Sequence, residues 1–244
     1  MHYIITFLAV MLGYALAWTT QPKKKKHIKL LLAFSGAFLL SLTVMHLLPE
    51  LFHAEHHGHE GHTHSQIPVG AYIMFGIILQ IVLEFFSKGA EHGHVHLHGS
   101  HEEEMPFQKM PWLLFGSLCL HALLEGLPIY QNNHLAYGIG IHHFPIAMIL
   151  TIFFRQSGLK NWTIFGFMLG FALMTPIGTY LAEHLHFMQH YSRELTAVVV
   201  GILFHISSTI IFESNEGHKF NLAKISMILL GFALAYIMES GHAH

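Results

Sequence analysis

Two residues in the stretch SLCLHALLEGLP, positions 117–128, stand out from their surroundings: His121 and Glu125. They lie inside an apolar run, where neither side chain is at home. Their spacing of four places both on one stripe of an α-helix, about 6 Å apart along the axis. An imidazole and a carboxylate so arranged are a ligand pair for a borderline divalent cation, or else a hydrogen-bonded packing pair. The next apolar run carries His142, His143 and Pro145.

Only Asn132, Asn133 and His134 separate these two runs, so as helices they are antiparallel neighbours. Counted from a turn near Asn133, Glu125 lies 8 residues down one helix and His142 lies 9 down the other. That is roughly 12 and 14 Å of depth, with His121 near ~18 Å. Half of a hydrocarbon core is about 15 Å. His121, Glu125 and His142 therefore converge near a membrane midplane. A lone acid there costs about 2.5–3.5 kcal/mol. Three such groups at one depth point to a cation site. His143 is turned by about 100° from His142 and leaves that stripe, toward a neighbouring helix or a second metal position. Pro145 cannot donate its backbone N–H and loosens the helix nearby. Gly126 and Gly138 permit close helix approach.

Other polar groups sit in apolar runs. His46-Leu-Leu-Pro-Glu50 repeats the four-residue spacing near a helix end, as an entrance pair or an ordinary polar terminus. Gln80 and Glu84 share a stripe, with Glu84 near the inner end of its run. His205 lies near the middle of another run. Glu213, Glu216 and His218 read as a solvated loop, as do Glu183 and His184. The lone Cys119 reads as packing and excludes an intrachain disulfide or a multi-cysteine metal site.

Composition sets the frame for these residues. Of 244 residues, 52% are hydrophobic and 11% charged, while 25 are histidine. Soluble domains average about 25% charged residues. The chain reads as an all-α polytopic membrane protein with a lipid bilayer as solvent. A net charge of −2 gives no sign of a nucleic-acid partner. Eight apolar segments predict eight transmembrane helices near 3–18, 30–52, 69–87, 111–131, 135–154, 162–183, 195–212 and 222–239. The first lacks a basic leader and is followed by lysines, so it reads as a span and not as a signal peptide. With both termini outside, eleven of the twelve Lys and Arg residues fall inside, and only Arg193 falls outside. That satisfies the positive-inside rule. One transmembrane domain is expected over 1–244. Histidine-rich loops follow at 53–64, outside, and 91–104, cytoplasmic, each expected to bind divalent metals weakly.

The pattern resembles the ZIP (Zrt/Irt-like) metal transporters. His46-Leu-Leu-Pro-Glu50 is similar to their second-span motif. His121-Ala-Leu-Leu-Glu125-Gly126 is similar to the fourth-span motif, His-Asn-x-x-(Asp/Glu)-Gly, and His142-His-Phe-Pro145 to the fifth-span His-x-x-Pro. The resemblance implies transport of Zn²⁺, or of Cd²⁺, Fe²⁺ or Mn²⁺, into the cytoplasm. It also implies a 3+2+3 helix arrangement with inverted repeats, a homodimer and an elevator-like motion, and no enzymatic activity. Two departures stand out. Ala122 replaces the usual Asn, and Ile146 replaces the usual carboxylate after Pro145. A single-metal site of His121, Glu125 and His142 is therefore expected, with His143 as a substitute ligand and His46, Glu50 and His205 as further metal-contacting groups. Two other classes are an intramembrane metalloenzyme and a haem protein. No His-Glu-x-x-His run supports the first. Glu125 beside His121 disfavours the second. Small size and short connectors suggest a bacterial plasma membrane.

Overall fold

A computed structural model describes residues 2–20, 25–53, 67–87, 111–213 and 222–240. The chain runs α1 (His2–Thr20), α2 (Lys25–Leu42), a π-helical turn (Thr43–Leu47), α3 (Leu48–His53), α4 (Val69–Ser87) and α5 (Pro111–Gly126). A 3₁₀ turn (Leu127–Tyr130) follows, then α6 (Leu135–Gln156), α7 (Asn161–His184), the short α8 (His186–His190), α9 (Ser192–Glu213) and α10 (Leu222–Ser240). Most of the histidine-rich stretches 53–64 and 91–104 lies outside the described residues, as do Glu216 and His218.

Among the described residues, six helices are long and apolar enough to cross a membrane: His2–Thr20, His27–Phe52, Val69–Phe86, Leu135–Gln156, Asn161–His184 and Ser192–Phe212. The fourth and eighth apolar segments form shorter apolar helices, Phe115–Tyr130 and Leu222–Met238. The eight-span expectation thus resolves into six full-length helices and two short ones. The fourth is interrupted where Gly126 and Pro128 tighten its last turn into 3₁₀ geometry.

Packing divides the helices into two groups. α1 packs on α6 and α7, and α5 packs on α7. α2 packs on α9 and α10, and α4 packs on α9. Contacts of α2 with α6 and of α4 with α5 join them. The largest core runs through the first group and into α9, from Val10 through Leu118, Ile146 and Phe171 to Ile206. Large apolar side chains also cover the outside, among them Leu12, Met74, Phe75, Ile78 and Phe85. Water would penalise such a surface and lipid tails would not.

Small residues set the helix spacing around the polar groups. A Cβ on Gly126 would lie 2.3 Å from the Thr175 carbonyl oxygen, and one on Gly178 would lie 2.0 Å from that of Leu123. α5 and α7 therefore touch backbone to backbone, and Thr179 Oγ1 donates to the Gly126 carbonyl at 2.9 Å. Gly138 does similar work against α2, where a Cβ would meet Leu42 Cδ1 at 2.3 Å. α6 continues through Pro145 as one helix to Gln156. Near its end, Arg155 Nη1 donates to the Trp18 carbonyl at 3.1 Å, and the guanidinium lies 4.5 Å from the Trp18 ring centre.

Candidate metal centre

The helical spacing of four does bring His121 and Glu125 together. His121 Nε2 lies 3.2 Å from Glu125 Oε1. The short α5–α6 connector then folds His142 back to the same level. One ligand atom from each of His121, Glu125 and His142 lies within 4.8 Å of the others. All three side chains are buried, at 1%, 0% and 0% exposure. The three groups meet at one level, but α5 packs chiefly on α7 and α4 and not on α6, so the expected α5–α6 neighbour pair is not formed along the helices.

His143 is also at the site. Its Nε2 lies 2.8 Å from Glu125 Oε2. Its ring centre is 5.8 Å from that of His142 and 5.3 Å from that of Phe171 on α7. The two histidines leave α6 at different angles, as adjacent helical residues must, yet both reach the neighbourhood of one carboxylate. The 100° separation correctly predicted different directions. It did not predict that Glu125 stands where both directions can be served.

The neighbouring positions are apolar. Ala122 and Ile146 are buried at 0% and 1% exposure, and among the described residues the cluster of three offers one carboxylate. Ala122 adds no bulk beside His121. Ile146, one turn beyond His142, contributes to the apolar core. Three ligand atoms of imidazole and carboxylate type suit a tetrahedral cation and leave one coordination position open.

The remaining site candidates lie elsewhere. His46 falls within the π-helical turn Thr43–Leu47, so its spacing to Glu50 does not follow the regular α-helical stripe that was expected. Its ring meets that of His134 edge-on, with centres 6.4 Å apart. Asn132 Nδ2 donates to Glu50 Oε2 at 3.1 Å. Glu50, Asn132 and Arg193 line a cavity of about 180 Å³ at this end of the bundle. His205 lies on α9, outside the cluster of three, with Nε2 2.9 Å from Oε2 of Glu84 on α4. That pair escaped the sequence reading, which noted each residue alone. The available signal was the need of each polar side chain for a partner in an apolar run. Cys119 is half-buried and unbonded to sulfur, in keeping with packing. Glu183 accepts from the Tyr3 hydroxyl at the exposed end of α7.

The family model described as ZIP Zinc transporter matches residues 2–106. Over that stretch, which is less than half of the chain, the sequence is similar to the ZIP family. Zinc transporter SLC39A7 of Rattus norvegicus is 31% identical over 90 residues, covering 33% of this chain and 19% of the relative. Zinc transporter SLC39A7 of Mus musculus gives the same identity and coverage. The matched part thus spans about a fifth of these relatives' length. The ZIP match contains His46, Glu50 and Glu84 and ends before α5, so it does not reach His121, Glu125, His142 or His143. The match to the ZIP family model and the long apolar helices together support an integral multi-pass membrane protein.

Proposed function

We propose that this chain carries divalent metal ions, zinc foremost, across the membrane into the cytoplasm, with His121, Glu125 and His142 as the ligands of the transported ion. The single observation that carries this reading is the burial of three residues from α5 and α6 whose ligand atoms lie within 4.8 Å of one another. Such a set is costly in apolar surroundings unless a cation visits it. Two imidazoles and a carboxylate match the ligand preference of Zn²⁺, and three protein ligands leave room for exchange. The printed name of the curated relatives, zinc transporter, supports the same ion. Cd²⁺, Fe²⁺ and Mn²⁺ are proposed as alternative cargo.

One ion occupies the site at a time on this reading. A second dication would need the amide and the carboxylate that Ala122 and Ile146 do not supply. His46 and Glu50 form the outer approach, and His205 beside Glu84 is a group that a departing ion meets on the inner half. The topology has eight spans, a 3+2+3 arrangement and both termini outside, supported by the eleven basic residues that then fall inside. The whole of 1–244 acts as one transporter domain, with 53–64 and 91–104 as external and cytoplasmic metal tethers. A homodimer in a bacterial plasma membrane completes the proposal, although both curated relatives are mammalian.

Zn²⁺ uptake into proteoliposomes tests it. Glu125→Ala should abolish uptake while the protein still inserts and melts cooperatively. Wild-type uptake by that variant would remove the proposed site.

A further inference from the structure

The two oxygens of Glu125 have different neighbours. Oε1 lies 3.2 Å from His121 Nε2, and Oε2 lies 2.8 Å from His143 Nε2. These two distances differ in chemical meaning. A nitrogen and an oxygen bound to one tetrahedral Zn²⁺, each about 2.0–2.1 Å from it, stand about 3.3 Å apart. A hydrogen bond from a ring N–H to a carboxylate spans about 2.7–2.9 Å. The His121 contact, at the long edge of hydrogen-bond range, also matches the spacing of two ligands of one ion. The His143 contact has the spacing of a direct hydrogen bond, with no room for an ion between its atoms.

Protonation sharpens the distinction. A metal-bound carboxylate is ionised and can only accept. His143 Nε2 must then carry the hydrogen, which leaves its lone pair on Nδ1, across the ring. Nδ1 is buried and has no hydrogen-bond partner among the described residues. The nitrogen that faces Glu125 is thus the one that has no lone pair to give a metal. The ring is held by Phe171, 5.3 Å away between centres. His143 also stands outside the cluster whose ligand atoms converge.

Resting on the transport reading above, we propose that His143 is a positioning residue that holds the Glu125 carboxylate ready for the ion and does not itself ligate it. The hydrogen bond removes the freedom of Glu125 to turn about its last bonds before capture. Preorganisation of this kind improves affinity by lowering the ordering cost of binding. Once an ion is bound, the ion itself orients the carboxylate, so the saturated rate needs His143 much less.

The test is Zn²⁺ uptake by proteoliposomes of the full chain, with KM and maximal rate measured separately. His143→Leu should raise KM about tenfold, the size of a lost hydrogen bond to a charged group, with the maximal rate within about twofold. His143→Gln, whose amide N–H can replace Nε2–H, should restore KM to within about twofold and leave the Zn²⁺/Cd²⁺ preference unchanged. His142→Gln, which alters a ligand, should shift that preference. If the Leu variant does not fold, His143→Asn takes its place, because its amide stops short of Oε2 and should raise KM as Leu does. The proposal is overturned if His143→Gln loses as much affinity as the Leu or Asn variant, or shifts the metal preference. It is also overturned if every His143 variant keeps the wild-type KM. A wild-type result for His142→Gln would instead strike the ligand assignment beneath it.

Discussion

His205 on α9 and Glu84 on α4 are joined by a 2.9 Å contact from Nε2 to Oε2, across 121 residues of sequence. Their side chains are 20% and 23% exposed, so the pair is at the edge of the packed bundle and not sealed within it. Each gives the other a polar partner between two apolar helices. Removing one leaves a polar group beside lipid. Thermal unfolding in detergent of Glu84→Gln, His205→Gln and the double variant should reveal a coupling of roughly 0.6 kcal/mol, the usual size for polar pairs between membrane helices. Additive effects of the two substitutions would mean that the contact contributes nothing to stability.

The α5–α7 contact is a second point of sensitivity. A Cβ on Gly178 would lie 2.0 Å from the Leu123 carbonyl oxygen, and no flexible side chain is there to yield. Gly178→Ala should therefore push α5 outward, carry His121 and Glu125 with it, and destabilise the protein by about 1–3 kcal/mol. Gly166, on the same helix, has open space where its Cβ would stand. Gly166→Ala should be neutral or stabilise by up to about 1 kcal/mol. Parallel melting curves of the two variants check the contrast, and equal shifts would refute the steric account.

The proposed single ion has a crystallographic signature. Crystals soaked in Zn²⁺ or Cd²⁺ should show one anomalous peak between α5 and α6, at His121, Glu125 and His142. Two fully occupied peaks there would contradict the inference drawn from Ala122 and Ile146.

Topology is open to chemical labelling because Cys119 is the chain's lone cysteine. In a Cys119→Ala background, Ser157→Cys, in the loop between α6 and α7, should react with a membrane-impermeant maleimide only from the cytoplasmic side. Gln189→Cys, on the exposed short helix α8, should react only from outside. The reverse pattern would invert the direction of the proposed transport.

Much of the centre was legible because its parts are local. His121 and Glu125 meet through the helical period alone, and His142 returns to their level because the chain turns back within the few residues between the 3₁₀ turn and α6. His143 was harder to read. Its direction relative to His142 follows from the period, but its partner depends on how far α6 is rotated about its own axis toward α5. The π-helical turn at His46 was not legible either. One widened turn changes the phase of every later residue in the helix, and nothing in Thr43–Leu47 announces it.

By itself, the sequence determined that this chain folds into apolar helices and that His121, Glu125 and His142 share one depth. Both follow from hydropathy, rise and period, which belong to a helix before it has neighbours. Only the tertiary structure decided that His143 holds Glu125 and that Glu84 finds His205. Those partnerships depend on helix rotation and spacing, which are set by side chains packing against other helices and by backbones meeting where Gly126 and Gly178 leave no side chain between them.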